Sequence, residues 1–218
     1  MERRVTGLGD NGDGVRKGAR ARATRSAGRL MRSRLLDVAS GLFKAHGLAG
    51  VAITAIAEAA DAFPSQITYY FRTKEALFVE AACRDMLHIA ARAEAAAARA
   101  RTPGTYMRAL VDTVMAADGL ALFVEALVLS RQRTDLAPQI ARTIERLHLD
   151  GARAFAGEVS RRGWRACCAP DVTARKFWAI ALGVALEGQG MGRGAAEMSA
   201  AMREALGAMA EALPAGSP

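Results

Sequence analysis

A short segment of the sequence concentrates side chains that can hydrogen-bond to another polar surface. Between Ile53 and Phe78 fall five of the twelve aromatic residues of this 218-residue chain, together with Ser65, Gln66 and Thr68. Hydroxyl and amide groups donate and accept hydrogen bonds, and phenol rings add apolar contact area. Such groups suit hydrogen bonding to DNA base edges and phosphates, so the segment is a candidate nucleic-acid surface.

Catalytic and metal-binding patterns are missing from the sequence. His46, His88 and His148 are scattered and form no pair at metal-ligand spacing. The sequence has no G-x-S-x-G nucleophile motif, no GK[ST] phosphate loop and no G-x-G-x-x-G that follows a strand. We therefore expect no enzymatic activity, no cofactor and no metal site.

Cysteine content and hydropathy bear on the compartment. Cys83, Cys167 and Cys168 are too few for a disulfide framework. The sequence has no uncharged apolar run of membrane-spanning length and no secretory signal, so we expect a cytoplasmic protein with no membrane partner. The adjacent Cys167 and Cys168 lie among arginines, a setting that favours thiolate, so a thiol-based redox sensor stays open as an alternative.

The composition predicts an all-α fold. Alanine, arginine, leucine, glutamate and methionine favour helices, and runs that alternate apolar and polar residues are absent. The charge is concentrated at the start, because residues 1–34 carry ten lysines or arginines against three acidic residues, out of a net charge of +8. Residues 1–26 have little apolar surface to bury and are predicted to form a disordered basic arm, with a second disordered segment at 214–218. A basic arm favours a nucleic-acid partner.

Residues 27–75 are predicted to form a three-helix domain. A helix from Ala27 to Ala45 ends at Gly47, and two short helices, Thr54–Ala60 and Pro64–Phe71, form a helix-turn-helix. On the last helix Ile67 and Phe71 are four residues apart and face the core. Ser65, Gln66, Thr68, Tyr69 and Tyr70 then lie on or near the outer face. Phe63 is predicted either to plug the turn or to lie at the groove edge.

Residues 76–213 are predicted to form a larger helical domain for ligand binding and dimerisation. A long helix from Lys74 to Arg99 is followed by five more, with the glycine-rich residues 187–197 read as a linker. The middle helices should enclose an apolar cavity for a small apolar or amphipathic effector. Its candidate ligand-binding residues are His88, Phe123, Glu125, Leu127 and Phe155.

A homodimer is expected because a two-turn recognition helix makes few base contacts, so specific binding needs two copies about 34 Å apart. The last two predicted helices supply candidate interface residues, namely Trp178, Leu182, Met198, Met202, Leu206 and Met209. The alternative is that these apolar stripes only close the core of one protomer.

The order of motifs in this region resembles a known family. Phe43, Gly47, Ile56-Ala57, Tyr69 to Phe71, Lys74 and Leu77 stand in the order found in the DNA-binding domain of the TetR family of bacterial transcriptional regulators. The resemblance covers about Leu30 to Leu87. It implies that Pro64, Ser65, Gln66, Thr68, Tyr69 and Tyr70 touch bases or nearby phosphates, that Lys74 binds a phosphate, and that Thr54 contacts the DNA backbone. It also implies a four-helix dimer bundle from the last two helices of each protomer.

Three positions depart from the family pattern. Asp61 replaces the usual turn glycine, which aspartate can do because it visits left-handed backbone conformations more readily than most residues. Ala52 replaces a common capping threonine or serine, so Thr54 is expected either to be the N-cap of the first short helix or to lie in its first turn, and a phosphate contact is left open. Thr68 replaces a frequent tyrosine, so an unusual target sequence is possible.

These observations predict a DNA-binding regulator that responds to a ligand. We expect a repressor that is released from a palindromic double-stranded DNA operator by its effector. A non-specific architectural DNA-binding protein is an alternative that would explain the basic arm, and it predicts equal affinity for any duplex.

Overall fold

The predicted all-α fold is confirmed. The computed structural model describes the backbone of residues 11–211 and the side chains of residues 26–207. The described residues form nine helices and no strand. The helices are α1 Asn11–His46, α2 Ile53–Ala59, α3 Pro64–Phe71, α4 Lys74–Ala97, α5 Pro103–Met115, α6 Asp118–Ser130, α7 Ala137–Arg162, α8 Pro170–Met191 and α9 Ala195–Glu211.

Helix α1 begins earlier than expected. It starts at Asn11 rather than near Ala27, so the disordered-arm prediction is wrong for residues 11–26. Extending an existing helix costs less than nucleating a new one, and this segment is rich in alanine and arginine, which favour helix even without an apolar stripe. Residues 1–10 of the predicted arm and the predicted tail at 214–218 lie outside the described residues.

Helices α1 to α3 pack around a small core that continues into α4. Ile67 and Phe71 of α3 are buried as predicted, against a cluster that includes Ile56 of α2. Phe43 of α1 packs edge-on against Phe78 of α4 with ring centroids 5.2 Å apart. Helix α4 therefore belongs to the core of the helix-turn-helix as well as to that of the larger helical part.

Helix α4 is the central element of the described structure. It packs against α1 and α3 at its start and against α5, α6 and α7 along its length. Its apolar face includes Leu77, Val79, Met86 and Ile89, all buried. A rotation or shift of α4 would therefore be transmitted between the helix-turn-helix and the C-terminal helices.

The glycine-rich segment is mostly helical, which corrects its reading as a linker. Helix α8 continues through Gly188 and Gly190 to Met191, and Gly192, with φ of 65°, ends it in the left-handed region. A β-carbon placed on Gly188 would lie 2.6 Å from Sδ of Met198 on α9. A larger residue at 188 would have to displace the flexible side chain of Met198, so Gly188 marks a close approach of α8 and α9 that composition alone does not reveal.

The lengths and hydropathy of the helices bear on the predicted absence of a membrane span. Within residues 11–211 no single helix is both long and apolar enough to cross a membrane. Helices α5 and α6 meet that condition only when taken together, and the pair is bent by 68°.

Candidate nucleic-acid interface and internal cavity

Helix α3 has well-defined ends that fix its outward face. Pro64 occupies its first turn, where a missing N–H costs nothing. The side-chain oxygen of Gln66 accepts a hydrogen bond of 2.9 Å from the backbone N–H of Phe63. Arg72 ends the helix with φ of 66°. The two buried residues on one side of α3 thus leave the opposite side to solvent.

The outward face of α3 carries the polar and phenolic groups predicted from the sequence. Pro64, Ser65, Thr68 and Tyr69 are exposed, and Tyr69 is 80% exposed. Tyr70 is half-buried, and a β-carbon on Gly28 of α1 would lie 3.4 Å from its hydroxyl. Tyr70 therefore packs beside α1, while Tyr69 projects from the surface.

Phe63 lies at the edge of this surface. Its side chain is 74% exposed, which excludes the plug that was one of its two predicted roles. An exposed aromatic ring beside hydroxyl groups can make apolar contact with a thymine methyl or stack at a groove edge. The structure therefore favours the second alternative, a position at the edge of a contact surface.

The turn between α2 and α3 adopts the conformation expected for its aspartate. Asp61 has φ of 49°, in the left-handed region, and its N–H donates to the carbonyl of Glu58 at 3.1 Å. The N–H of Ala62 donates to the carbonyl of Ala57 at 2.9 Å, which completes a Schellman motif. Asp61 therefore adopts the left-handed backbone conformation that the usual turn glycine would adopt.

The start of α2 has no side-chain cap. Its N-cap is Ala52, which makes no side-chain hydrogen bond, and Thr54 lies in the first turn. Thr54 is exposed, so its hydroxyl is accessible to a partner. Of the two positions considered for Thr54, the structure adopts the one in the first helical turn.

Lys74 makes contacts that the sequence did not predict. Its Nζ donates to the carbonyl oxygens of Leu48 and Val51, both at 2.9 Å. The side chain is half-buried and holds the loop between α1 and α2 against the start of α4. Because an ammonium has three donors, one remains for a phosphate. Lys74 is therefore a positioning residue for the helix-turn-helix whether or not it also meets DNA.

An apolar cavity lies between α4, α5, α7 and α8. It offers about 40 Å³ to the centres of water-sized spheres and is partly open to solvent. Alanines and a glycine form much of the wall, and the larger side chains come from all four helices. The lining residues are Ala90, Ala93, Glu94, Tyr106, Met107, Leu110, Gly151, Ala154, Phe155, Thr173, Ala174, Phe177 and Trp178.

Glu94 and Tyr106 are the titratable groups that line this cavity. Burial raises the pKa of the Glu94 carboxyl above its ordinary value, and the nearby charge of Asp150 raises it further. Burial, followed by the charges of Glu94 and Glu158, raises the pKa of Tyr106 to about 12. The phenol is therefore neutral near pH 7, and Glu94 is the lining residue whose side chain carries a charge.

Two family models match the chain. Residues 35–81 match the family described as bacterial regulatory proteins of the tetR family, and residues 103–207 match the bacterial transcriptional repressor C-terminal family. A solved protein from Rhodococcus sp. RHA1, assigned as a transcriptional regulator, is 35% identical. The match covers 79% of this chain and 93% of that protein with a TM-score of 0.70. The chain belongs to the TetR family. It is therefore a transcriptional regulator rather than an enzyme.

More distant TetR-like structures share the fold. A TetR-family regulator from Mesorhizobium loti MAFF303099 is 19% identical, with a TM-score of 0.65 over 83% of this chain and 95% of its own. A regulator from Saccharomonospora viridis, solved with choline, is 18% identical, with a TM-score of 0.61 over 79% of this chain and 93% of its own. No curated protein matches this TetR-family chain.

The residues predicted to bind a ligand mostly lie away from the cavity of this TetR-family protein. Of the five, Phe155 lines it. His88 and Glu125 are exposed, Phe123 is fully buried in the core and Leu127 is half-buried against it. Helix α6 is apolar on nearly all sides, so its sequence could not indicate that Glu125 points to solvent. The sequence reasoning missed Glu94, although it is the one charged residue between Ala93 and Ala98.

The predicted dimer residues divide by burial. Trp178 and Met202 are buried in the protomer, and the indole N–H of Trp178 donates to the carbonyl of Leu147 at 3.2 Å. Their burial favours the stated alternative for these two residues, that they close the core of one protomer. Leu182, Met198 and Leu206 are half-buried. The side chain of Met209 lies outside the described residues.

A different face of α8 is apolar and exposed. Ala179, Gly183, Leu186 and Gly190 lie three or four residues apart, and all four are exposed. Leu186 is 55% exposed. We call these four residues the α8 stripe. Sequence periodicity placed the interface on the opposite, buried face because both faces are apolar or small.

The three cysteines differ in their exposure to solvent. Cys83 is buried, and burial raises the pKa of its thiol, which disfavours reactivity. Cys167 is exposed, and Cys168 is half-buried with its sulfur 3.9 Å from Nζ of Lys176. A thiol-sensing role for Cys167 and Cys168 therefore stays a prediction that their replacement by serine would test.

Proposed function

We propose that this TetR-family protein is a cytoplasmic repressor that binds a palindromic DNA operator as a homodimer and is released by a small effector. The observation that carries the proposal is the outward face of α3, with Tyr69 at 80% exposure beside Ser65 and Thr68. Residues 27–75 would bind DNA, and residues 76–213 would bind the effector and the second protomer.

DNA reading is supported by the chemistry and shape of this surface. Exposed hydroxyl and phenol groups on a helix of two turns suit the major groove. Phe63 and Thr54 flank the helix, and Lys74 retains one donor at its far end. We propose that Ser65, Gln66, Thr68 and Tyr69 contact bases, while Pro64, Tyr70, Thr54 and Lys74 meet sugars or phosphates.

Dimerisation is supported by the α8 stripe. A leucine exposed by 55% between exposed glycines and an alanine leaves apolar surface that a second copy can cover. Small residues allow two helices to approach closely, as the four-helix bundle implied by the family resemblance requires. The half-buried Leu182, Met198 and Leu206 would extend the same contact.

Effector response is supported by the position of the cavity on α4. Glu94 lines the cavity from the C-terminal part of α4, and Lys74 begins the same helix. A ligand that prefers one arrangement of α4 shifts the population of DNA-competent dimers in proportion to its differential affinity. A protein with the same fold was solved in complex with choline, which supports a small-molecule effector.

The experiment that tests the proposal is selection of bound duplexes from a random DNA pool near physiological salt, followed by sequencing. A palindrome with half-sites about one helical turn apart is the expected result. Tight binding without sequence enrichment would contradict the proposal and favour an architectural protein. Binding of the selected operator should then be compared between wild type and Tyr69→Ala.

A further inference from the structure

We propose that the cavity between α4, α5, α7 and α8 takes an organic cation with an apolar body, with Glu94 as its counter-ion. The inference rests on the proposed function in one respect, since it names the chemical class of the effector. It narrows the class of effector expected from the sequence, an apolar or amphipathic molecule, to one that carries a positive charge.

The first argument is the composition of the wall. Of the thirteen lining residues, Glu94 is the one whose side chain carries a charge. Four others are aromatic, namely Tyr106, Phe155, Phe177 and Trp178. Aromatic faces attract cations through the ring quadrupole, and the attraction is strongest away from water. A carboxylate beside several aromatic rings is a combination that recognises substituted ammonium groups.

The second argument is that Glu94 lacks the partners that its acidic neighbours have. Asp150 pairs with Arg146 and Arg153, and Glu158 pairs with Arg161 and Arg162. Among the side chains of residues 26–207, no ion pair or side-chain hydrogen bond involves the Glu94 carboxylate. Burial disfavours the charged form of this carboxylate and raises its pKa, and a bound cation would offset that cost.

The third argument excludes the other signs of charge. An anionic ligand would meet the charges of Glu94 and Asp150, and the wall supplies no cationic side chain to offset them. A neutral apolar ligand would displace water from the cavity and leave Glu94 still unpaired. A cation with a compact apolar body satisfies both the carboxylate and the aromatic wall.

The test uses two probes of the same shape. Phenyltrimethylammonium is a permanent cation, and tert-butylbenzene is its uncharged carbon isostere. Binding of each to the DNA-free protein would be measured by titration calorimetry. We expect the cation to bind at least about tenfold more tightly than the isostere, in keeping with a desolvated cation–aromatic and carboxylate contact.

Two variants test whether Glu94 is responsible for the preference for the cation. Glu94→Gln keeps the shape of the side chain and should abolish the preference for the cation while leaving the isostere unchanged. Glu125→Gln removes an exposed carboxylate on α6 and should retain the preference. Equal or tighter binding of the isostere, no binding of either probe, or an unchanged preference in Glu94→Gln would each overturn the proposal.

The outcome is separable from that of the proposed function. Calorimetry without DNA reports the charge preference even if no operator is found. Conversely, an enriched palindrome would support the regulator proposal even if the cavity had no preference for cations. Release of the selected operator by the cation, and not by the isostere, would support both.

Discussion

Nζ of Lys44 on α1 lies 2.5 Å from Oδ2 of Asp85 on α4, and the hydroxyl of Ser40 donates to the same oxygen at 2.5 Å. Asp85 and Ser40 are both buried. A β-carbon on Gly119, in the first turn of α6, would lie 3.2 Å from Cβ of Asp85. Three helices therefore meet at one carboxylate, and it joins the helix-turn-helix to the C-terminal helices.

Removal of this carboxylate should destabilise the protein. Asp85→Ala leaves Lys44 and Ser40 without their shared acceptor, so we expect the free energy of unfolding to fall by about 1–3 kcal/mol. Urea denaturation measures it. Asp112→Ala is the control, because Asp112 pairs with Arg203 at 2.5 Å on the surface and should cost less than about 1 kcal/mol. Equal losses in the two variants would contradict the role assigned to the buried pair.

Lys74→Met should have two effects. Loss of the donor to the Leu48 and Val51 carbonyls should lower the free energy of unfolding by about 1–2 kcal/mol. If the third donor meets a phosphate, affinity should fall for every duplex alike and the slope of log affinity against log salt should decrease by about one. An unchanged slope would limit Lys74 to positioning the loop. Lys176→Met, on α8, is the matched control for charge.

Substitutions on the outward face of α3 should change sequence preference without changing stability. Thr68→Ala and Tyr69→Ala should each cost about 1–3 kcal/mol in operator binding and relax preference at particular base pairs. Both residues are exposed, so the unfolding midpoint should stay near that of wild type. Gln66→Ala should do the same and also lose a helix cap. The exposed Gln132, at the end of α6, supplies a control alanine variant. Retained preference in all three variants would remove these side chains from the DNA contact.

Leu186→Arg should convert the proposed dimer to a monomer. A charge in the middle of the α8 stripe would have to be desolvated at the proposed interface. Sedimentation velocity should report the change in mass, and operator affinity should fall because one recognition helix makes too few contacts. Val128→Arg is a matched control, since Val128 is 52% exposed on α6 and lies outside the stripe. A dimer that persists in Leu186→Arg would place the interface elsewhere.

Glu94 should reduce stability at neutral pH. Its pKa is raised in the folded protein, so the folded state holds this proton more tightly than the unfolded state, and stability is lost as pH rises through the folded pKa. Glu94→Gln removes this penalty and should therefore unfold at higher urea concentration than wild type at pH 7.5. The gain should shrink as pH falls through the folded pKa and disappear below the unfolded pKa. A gain that is independent of pH would contradict this account.

Local patterns allowed the helix-turn-helix to be predicted well. Helix α3 has the expected bounds because Pro64 marks its start and the spacing of Ile67 and Phe71 sets its buried side. Asp61 adopts the left-handed conformation that its position required. These features depend on residues close together in sequence, where propensity and capping act directly.

Features that depend on packing between residues far apart in the sequence were harder to predict. Nothing local marks which apolar face of α8 covers the core, so the sequence could not indicate that Trp178 is buried and Leu186 exposed. Gly188 suggested a linker, although it lies on α8 where the Met198 side chain of α9 approaches closely. Glu94 and Tyr106 lie on different helices and meet only once α4 and α5 pack, so neither could be identified as part of one cavity.

The hydrogen bond from the Phe63 N–H to the Gln66 side-chain oxygen affects how Gln66 can hydrogen-bond to a base pair. A glutamine that reads adenine with two hydrogen bonds must offer one donor and one acceptor. Here one lone pair of the oxygen is already used at the start of the helix, which fixes the direction of the amide and leaves the NH₂ group and a second lone pair. In a complex that keeps this bond, the NH₂ group would be free to donate to acceptors such as guanine O6 and N7 or thymine O4. The direction of the Gln66 amide at the protein surface would thus be set by the folding of α3 before DNA binds.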